Sequence, residues 1–554
     1  MALLVDLFGY LSVVVHGLVI VAQSVAFGSV FFLALLLRPL AGRLGPDGIN
    51  LTASVGRVVV WSAVGLVLAE ALYIGLQVAV MLDTTGMDLG KALTASFALS
   101  GLAKAVCAAL IATLVVAWGP RASAPALVVL SLLALAAATA TTHAAGRVGD
   151  RSVLLGVEFL HQLGAALWIG GIPVFWLALS RLPDGVALGL VGTRFSRMSM
   201  AGVAALLVSG TVMSVVYIGD VPGLYGTAFG VMVGAKIVMF LMLLGLGLGN
   251  FLVVERLRRE PAGSTVRLRR FAEAEIGIGF TIFFAAASLT SVPPAIDLTD
   301  DRVTFAEIVE RNTPRMPRLV SPDHDQLSIT TLQNKLDAEA ATASAAPKAA
   351  FTPGSGELPP RDAADIAWSE YNHHWAGLFV VAIGILALLA QAGIGWARHW
   401  PLVFVGLGTF LAVRADPDVW PLGSQGVIES LRDVETLQHR AFEVLIFAFA
   451  FFEWRVRRLD IRTGWQPLVF PLMCAAGGML LLTHQHAISN VKDQLLVELT
   501  HTPLAIAGVA AGWARWLELR LDPVADRRLV RVAGWVWPAC LLVIGMFLLL
   551  YREA

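Results

Sequence analysis

The chain runs to 554 residues, of which 57% are hydrophobic and 14% charged, with a mean hydropathy of +0.75. A soluble domain averages about a quarter charged residues, so a water-soluble globular domain is excluded. The 40 basic and 40 acidic residues cancel, which argues against a nucleic-acid partner.

Three cysteines, Cys107, Cys474 and Cys540, lie far apart inside apolar runs. That placement argues against a disulfide framework or a thiolate metal centre and fits small buried apolar residues.

About 20 apolar residues are needed to cross the hydrocarbon core. The first apolar run, near 7–37, is far longer than the ~7–15-residue core of a cleaved signal and counts as a span. Further spans fall near 58–82, 92–118, 125–143, 152–180, 198–219, 228–254 and 271–292. After a gap they resume near 373–397, 400–414, 438–454, 466–486, 494–514 and 529–551. Continuous apolar character, without the alternation of barrel strands, makes them helices. The expected fold is an all-α, polytopic transmembrane bundle of about fourteen spans in two pseudo-repeated halves. Its expected parts are an N-terminal bundle (1–294, about eight spans), an extramembrane segment and linker (295–366), and a C-terminal bundle (367–554, about six spans). The middle part opens on Pro293-Pro294, is acidic (Asp297, Asp300, Asp301, Glu307, Glu310), and closes in an Ala/Pro/Gly/Ser-rich run.

Lys and Arg set the orientation. One set of loops, including Arg38, Arg121, Arg194, Arg256, Arg398, Arg455 and Arg528, carries 23 of them; the other carries 8, among them Lys91, Arg147, Arg414 and Arg552. The positive-inside rule makes the first set cytoplasmic and places both termini outside.

Ten of the eleven histidines then fall toward the outer face, and only His399 lies inside. Interfacial capping accounts for those at helix ends. It accounts less well for His16, His161 and His501, which sit one to three turns within spans, where ionisable groups are costly. A pattern also recurs. Thr142-His143 is followed by Glu158-Phe-Leu-His161, and Thr483-His484-Gln-His486 by Glu498-Leu-Thr-His501. Each Glu and His at i, i+3 share a helix face, and the preceding Thr-His can meet them across a short loop. His16 and His374 each precede an apolar run in corresponding positions, and His439 pairs with Glu443 at i+4. Parallel repeats of this kind are a common transporter plan.

Imidazole-rich sites suit copper, zinc, iron or nickel rather than calcium or magnesium, with carboxylates supplying charge. The expected metal ligands are therefore His143, Glu158, His161, His484, His486, Glu498 and His501, with His16, His374 and His439 in support. The alternative chemistry is haem b, for which His161 and His501 are the first axial candidates. Glu70 and Lys104, on consecutive antiparallel spans, read as a structural ion pair, with a proton or ion relay as the sharper alternative. Lys236 is a further intramembrane charge. The small residues of Trp168-Ile-Gly-Gly171 point to close helix packing.

Several of these stretches carry a resemblance. Glu158-Phe-Leu-His161-Gln-Leu-Gly-Ala-Ala-Leu-Trp168-Ile-Gly-Gly171 is similar to the His…Trp-x-Gly-Gly signature of the copper resistance D (CopD/PcoD) family. So are Tyr225-Gly226 leading to Lys236 and Asn250, Arg269-Arg270-Phe-Ala-Glu273-Ala-Glu275, and Val292-Pro293-Pro294-Ala295. The likeness covers residues 140–295 and, more weakly, the first 140. The second half resembles the extension found on long bacterial members. The resemblance implies a non-enzymatic copper-handling protein of the bacterial inner membrane that works with a periplasmic copper-binding partner. A haem-b electron-transfer protein and a copper-related oxidase assembly factor remain the alternatives. No nucleotide-binding loop or phosphorylatable Asp motif is apparent, so any transport is passive or gradient-coupled.

Overall fold

The computed structural model describes residues 2–182, 185–299, 302–323, 327, 363–417, 419–423, 426–431, 434–483 and 492–553. The chain is an all-α, multi-pass membrane protein, and it divides into two compact units. The first is chiefly Met1–Arg302; the second is chiefly Val303–Leu481, Ser489–Leu519 and Arg527–Ala554.

The first unit is built from α1 (Ala2–Phe31), α2 (Ala41–Thr85), α3 (Ser96–Trp118), α4 (Ala124–Thr139), α5 (Arg151–Leu167), α6 (Ile172–Arg181), α7 (Gly185–Ile218), α8 (Ala228–Arg259) and α9 (Val266–Leu289). Chain punctuation follows local chemistry. The Ser123 hydroxyl accepts from Ala126 N to start α4, and Thr227 caps α8 by accepting from Gly230 N. Gly86 closes α2 in the left-handed region at φ 62°, a conformation a side chain would oppose.

Residues 152–180, expected as one span, form two helices instead, with a turn at Trp168–Gly171 between α5 and α6. The cause is close packing against α1. A Cβ on Gly170 would strike the Ser24 carbonyl, and one on Gly28 would strike the Gly170 main chain. The helix opens where two backbones meet with no side chain between them.

The second unit contains α10 (Phe305–Asn312), α11 (Ala363–Gln391), α12 (Val403–Arg414), α13 (Val434–Arg458), α14 (Val469–Thr483), α15 (Lys492–Arg520) and α16 (Arg527–Leu549). Its core gathers Ile383, Trp400, Phe470, Ala511, Trp537 and Leu541. The guanidinium of Arg457 lies 4.6 Å from the Trp400 ring centre and 5.2 Å from that of Trp537, and it donates to Glu453 at 2.7 Å. A partly buried cation is thus held by one carboxylate and a set of aromatic faces. Helices α11 and α16 touch through Gly377, Gly384 and Gly545, each directly against the opposing main chain.

Among the described residues, helix occupies most of each segment expected to span. Among the described residues, however, nine stretches are both long and apolar enough to cross a bilayer, with Phe8–Thr85 counting once although it runs through two helices. The shortfall from fourteen has plain causes. Helices α4 and α12 have 16 and 12 residues, α13 carries charges along its length, and α15 carries them toward both ends around a polar Thr-His-Thr stretch. Of the expected extramembrane segment and linker at 295–366, residues 328–362 lie outside the described residues.

Two antiparallel helices of the first unit, α2 and α3, are joined by a buried ion pair: Lys104 Nζ lies 2.5 Å from Glu70 Oε1, with side chains 8% and 1% exposed. Breaking a buried pair leaves a charge without compensation, at a cost of about 3–5 kcal/mol. Glu70→Gln or Lys104→Met alone is therefore expected to lower the thermal unfolding temperature of the purified protein sharply, and the double replacement to recover most of the loss. Gly170→Ala should be worse than ordinary overpacking of ~1–3 kcal/mol, because the obstruction is main chain. Loss of the monodisperse peak in fluorescence-detected size exclusion would register it.

Candidate functional site

In the first unit His16, His143 and His161 each face an oxygen that serves as an acceptor, a hydroxyl for His16 and His161 and a main-chain carbonyl for His143. His161, on α5, lies 3.1 Å through Nδ1 from Ser209 Oγ, and that hydroxyl donates to the Ala205 carbonyl at 2.6 Å. Ser209 can then only accept, so His161 Nδ1 carries the hydrogen and Nε2 carries the lone pair. His16 repeats the arrangement: its Nδ1 is 3.3 Å from Thr290 Oγ1, which donates to Ala287 O at 2.7 Å. His143 Nε2 is 3.2 Å from the Leu289 carbonyl, which fixes Nδ1 as its lone-pair nitrogen. In the neutral form of each ring the other nitrogen holds the lone pair, an orientation of the kind outer partners give metal-binding histidines.

A polar string runs beside His161. Gln23 Nε2 on α1 donates to Gln162 Oε1 at 3.2 Å, and Gln162 Nε2 donates to Glu158 Oε1 at 3.3 Å. Lys236 of α8 stands within electrostatic reach of both Glu158 and His161. Sequence reading placed Lys236 in the membrane but gave it no partner, because the register of α8 against α5 is a tertiary property. Gln23, Gln162 and Ser209 were also missed. Their one sequence signal is that they are polar residues inside apolar runs.

Two cavities open beside His143 and His16. One, of about 520 Å³, is lined by Thr141, Thr142, His143, Arg147, Thr290 and Asp297 among others, with Arg147 and Asp297 paired at 3.2 Å. The other, of about 220 Å³, is lined by Ser12, His16, Glu70, Tyr73, Gln77 and Lys104, and it shares Thr141 and Thr290 with the first. His16 also lies against the Tyr73 ring, centres 5.1 Å apart.

In the second unit Glu498 and His501 share one face of α15, with Glu498 buried. The His501 ring centre is 6.4 Å from that of His373, and His373 stacks on Tyr551 at 3.9 Å. His373 Nδ1 donates to the Ser369 carbonyl at 2.8 Å, so its Nε2 holds the lone pair. His373 and Tyr551 were not among the expected site residues. His439 Nδ1 is 2.6 Å from Asp416 Oδ1, a carboxylate–imidazole pairing. The expected partner Glu443 is engaged by Arg440 instead, at 2.9 Å. His374 differs from the rest: Nδ1 accepts from Arg318 N at 2.7 Å, and Nε2 faces the Tyr551 carbonyl at 2.8 Å. Both nitrogens are spent on main chain, which makes it a structural clamp in this conformation. His399 accepts from Trp454 Nε1 at 2.8 Å. His324, His484 and His486 lie outside the described residues.

Among the described residues no three His, Cys, Asp or Glu side chains stand close enough together to enclose one ion. The expected meeting of His143 with Glu158 and His161 as a closed cage is not formed. His143 lines the larger cavity and His16 the smaller, while Glu158 and His161 engage Gln162 and Ser209.

Residues 190–289 match the family described as copper resistance protein D. The chain is also 32% identical over 159 residues to a protein of Bacillus subtilis (strain 168) named copper transport protein CutJ. That alignment spans 28% of this chain and 28% of the relative. No solved structure matches the chain.

Proposed function

We propose that this chain is a non-enzymatic copper-handling protein of the bacterial inner membrane, with both termini and the histidine-bearing helix ends on the periplasmic side. It takes up copper through His143, Glu158 and His161 in the first unit, with His16 alongside. It does so through His484, His486, Glu498 and His501 in the second, with His439 alongside and His373 added from the geometry. A periplasmic copper-binding protein delivers the ion, which then crosses the membrane. The copper resistance D segment and the copper transport relative support the choice of metal. The observation that carries the reading is the hydrogen bonding of His16, His143 and His161, which leaves each with one nitrogen bearing a lone pair.

Few ligands at each stop suit a cargo better than a closed cage, since an ion bound too well cannot leave. The paired Thr-His and Glu-x-x-His elements, at α4–α5 and at α14–α15, make the two halves pseudo-equivalent ports. Without an element for nucleotide hydrolysis, movement across the membrane follows a gradient. Lys236 opposes a bound cation, because it lies within electrostatic reach of Glu158 and His161.

Metal and absorbance analysis of purified protein tests the reading. Copper should copurify or bind on addition without a Soret band, and His161→Ala combined with His501→Ala should remove most of it. A Soret band lost in that double variant would establish haem b instead. Copper binding and tolerance unchanged in the double variant would leave an assembly or structural role. Ser209→Ala frees the His161 ring and should weaken copper binding about 10–100-fold, the usual cost of losing an orienting partner, as read by competition with a chromogenic chelator. Lys236→Met removes the like charge and should act the other way, tightening binding about tenfold, equivalent to ~1.4 kcal/mol.

A further inference from the structure

Away from the imidazoles, α8 and α9 bury a second polar pair. Asn250 Nδ2 donates to Glu275 Oε2 at 3.0 Å, and the two residues are 7% and 3% exposed. Their remaining oxygens, Asn250 Oδ1 and Glu275 Oε1, are both buried without a hydrogen-bond partner. Oε1 lies over Gly247, where a Cβ would come within 3.2 Å of it and 3.5 Å of the Trp168 ring. The missing side chain makes room for the carboxyl.

Two buried acceptors left over from one amide–carboxyl contact are costly, and a single hydrogen resolves both. A hydrogen on Glu275 Oε1 turns that oxygen into a donor for Asn250 Oδ1. A carboxylic acid and an amide so paired close a ring of two hydrogen bonds, one in each direction.

A metal ion is a poor alternative, because a hard cation needs six or more oxygens and the pair offers two free ones. An ionised carboxylate is poorer still, because among the described residues Glu275 has no ion-pair partner, and Asn250 donates its one hydrogen bond. Helix α9 packs on α8, α1 and α6, and their charged groups are committed elsewhere. Arg270 pairs with Glu273, Arg269 donates to the Leu179 carbonyl, and Glu255 holds Arg258 and Arg259. Arg267 pairs with Asp526, Lys236 is within electrostatic reach of Glu158, and His16 is bound to Thr290. Arg181 and Arg256 are exposed at helix ends. An unpaired buried carboxylate in such surroundings keeps its proton.

We infer that Glu275 and Asn250 form a proton-binding site inside the first bundle, occupied at neutral pH as a carboxylic acid hydrogen-bonded in a ring with the asparagine amide. The site is separate from the candidate copper ligands. Glu275 is fourteen residues from Leu289, the helix end where His143 is held, or about 21 Å along α9 at 1.5 Å per residue. Its ligand is the proton alone, so the bundle holds a proton in the part of α9 remote from the helix end that holds His143.

Infrared difference spectroscopy of the full-length, metal-free protein in lipid tests this without reference to copper. The wild type should show the carbonyl band of a protonated carboxyl at neutral pH, shifting on exchange into D2O, and Glu275→Gln should lack it. In Asn250→Leu the band should persist and move to higher frequency, because the carboxyl loses its ring partner; this variant serves if E275Q does not fold. A wild type without the band, or with one unchanged in E275Q, overturns the proton site. A band that stays in place in Asn250→Leu overturns the ring.

Discussion

Polar groups inside a membrane protein have no bulk water to fall back on, and this bundle is organised around that constraint. Every buried donor or acceptor must find its partner within the chain or carry the cost of lacking one. The Glu70–Lys104 pair meets the demand with opposite charges 2.5 Å apart. Arg457 meets it with a carboxylate and aromatic faces. The Gln23–Gln162–Glu158 string meets it by passing hydrogen bonds from one amide to the next.

The same accounting decides the chemistry of the imidazoles. A histidine has two nitrogens, and in the neutral ring one donates while the other accepts. Where the neighbouring hydroxyl already donates to a helix carbonyl, as Ser209 and Thr290 do, the imidazole must donate to it and keeps its lone pair for something else. Where main chain takes both nitrogens, as at His374, the residue is mortar. Identical side chains thus divide into ligand-competent and structural ones according to hydrogen bonds made one shell further out.

Backbone proximity is the second organising element. Gly28 against Gly170, and Gly377, Gly384 and Gly545 between α11 and α16, remove side chains where helices must touch. In the first unit this contact coincides with the break between α5 and α6, so the packing that brings α1 close also ends α5 a turn and a half beyond His161. Position and chemistry of the site are therefore linked through one crossing of small residues.

Composition and apolar run length by themselves determined the membrane class, the helical fold and where the helices lie, because twenty apolar residues in series have few other destinations. The i, i+3 spacing of Glu158 with His161 and of Glu498 with His501 was likewise legible, since a helix face is a local property. Tertiary structure alone decided what those faces meet: Lys236 within electrostatic reach of Glu158, His373 beside His501, Asn250 on Glu275, and Arg440 rather than His439 on Glu443. Those pairings depend on the rotation and register of one helix against another, set by side-chain packing summed over whole interfaces, and no short stretch of sequence carries that sum.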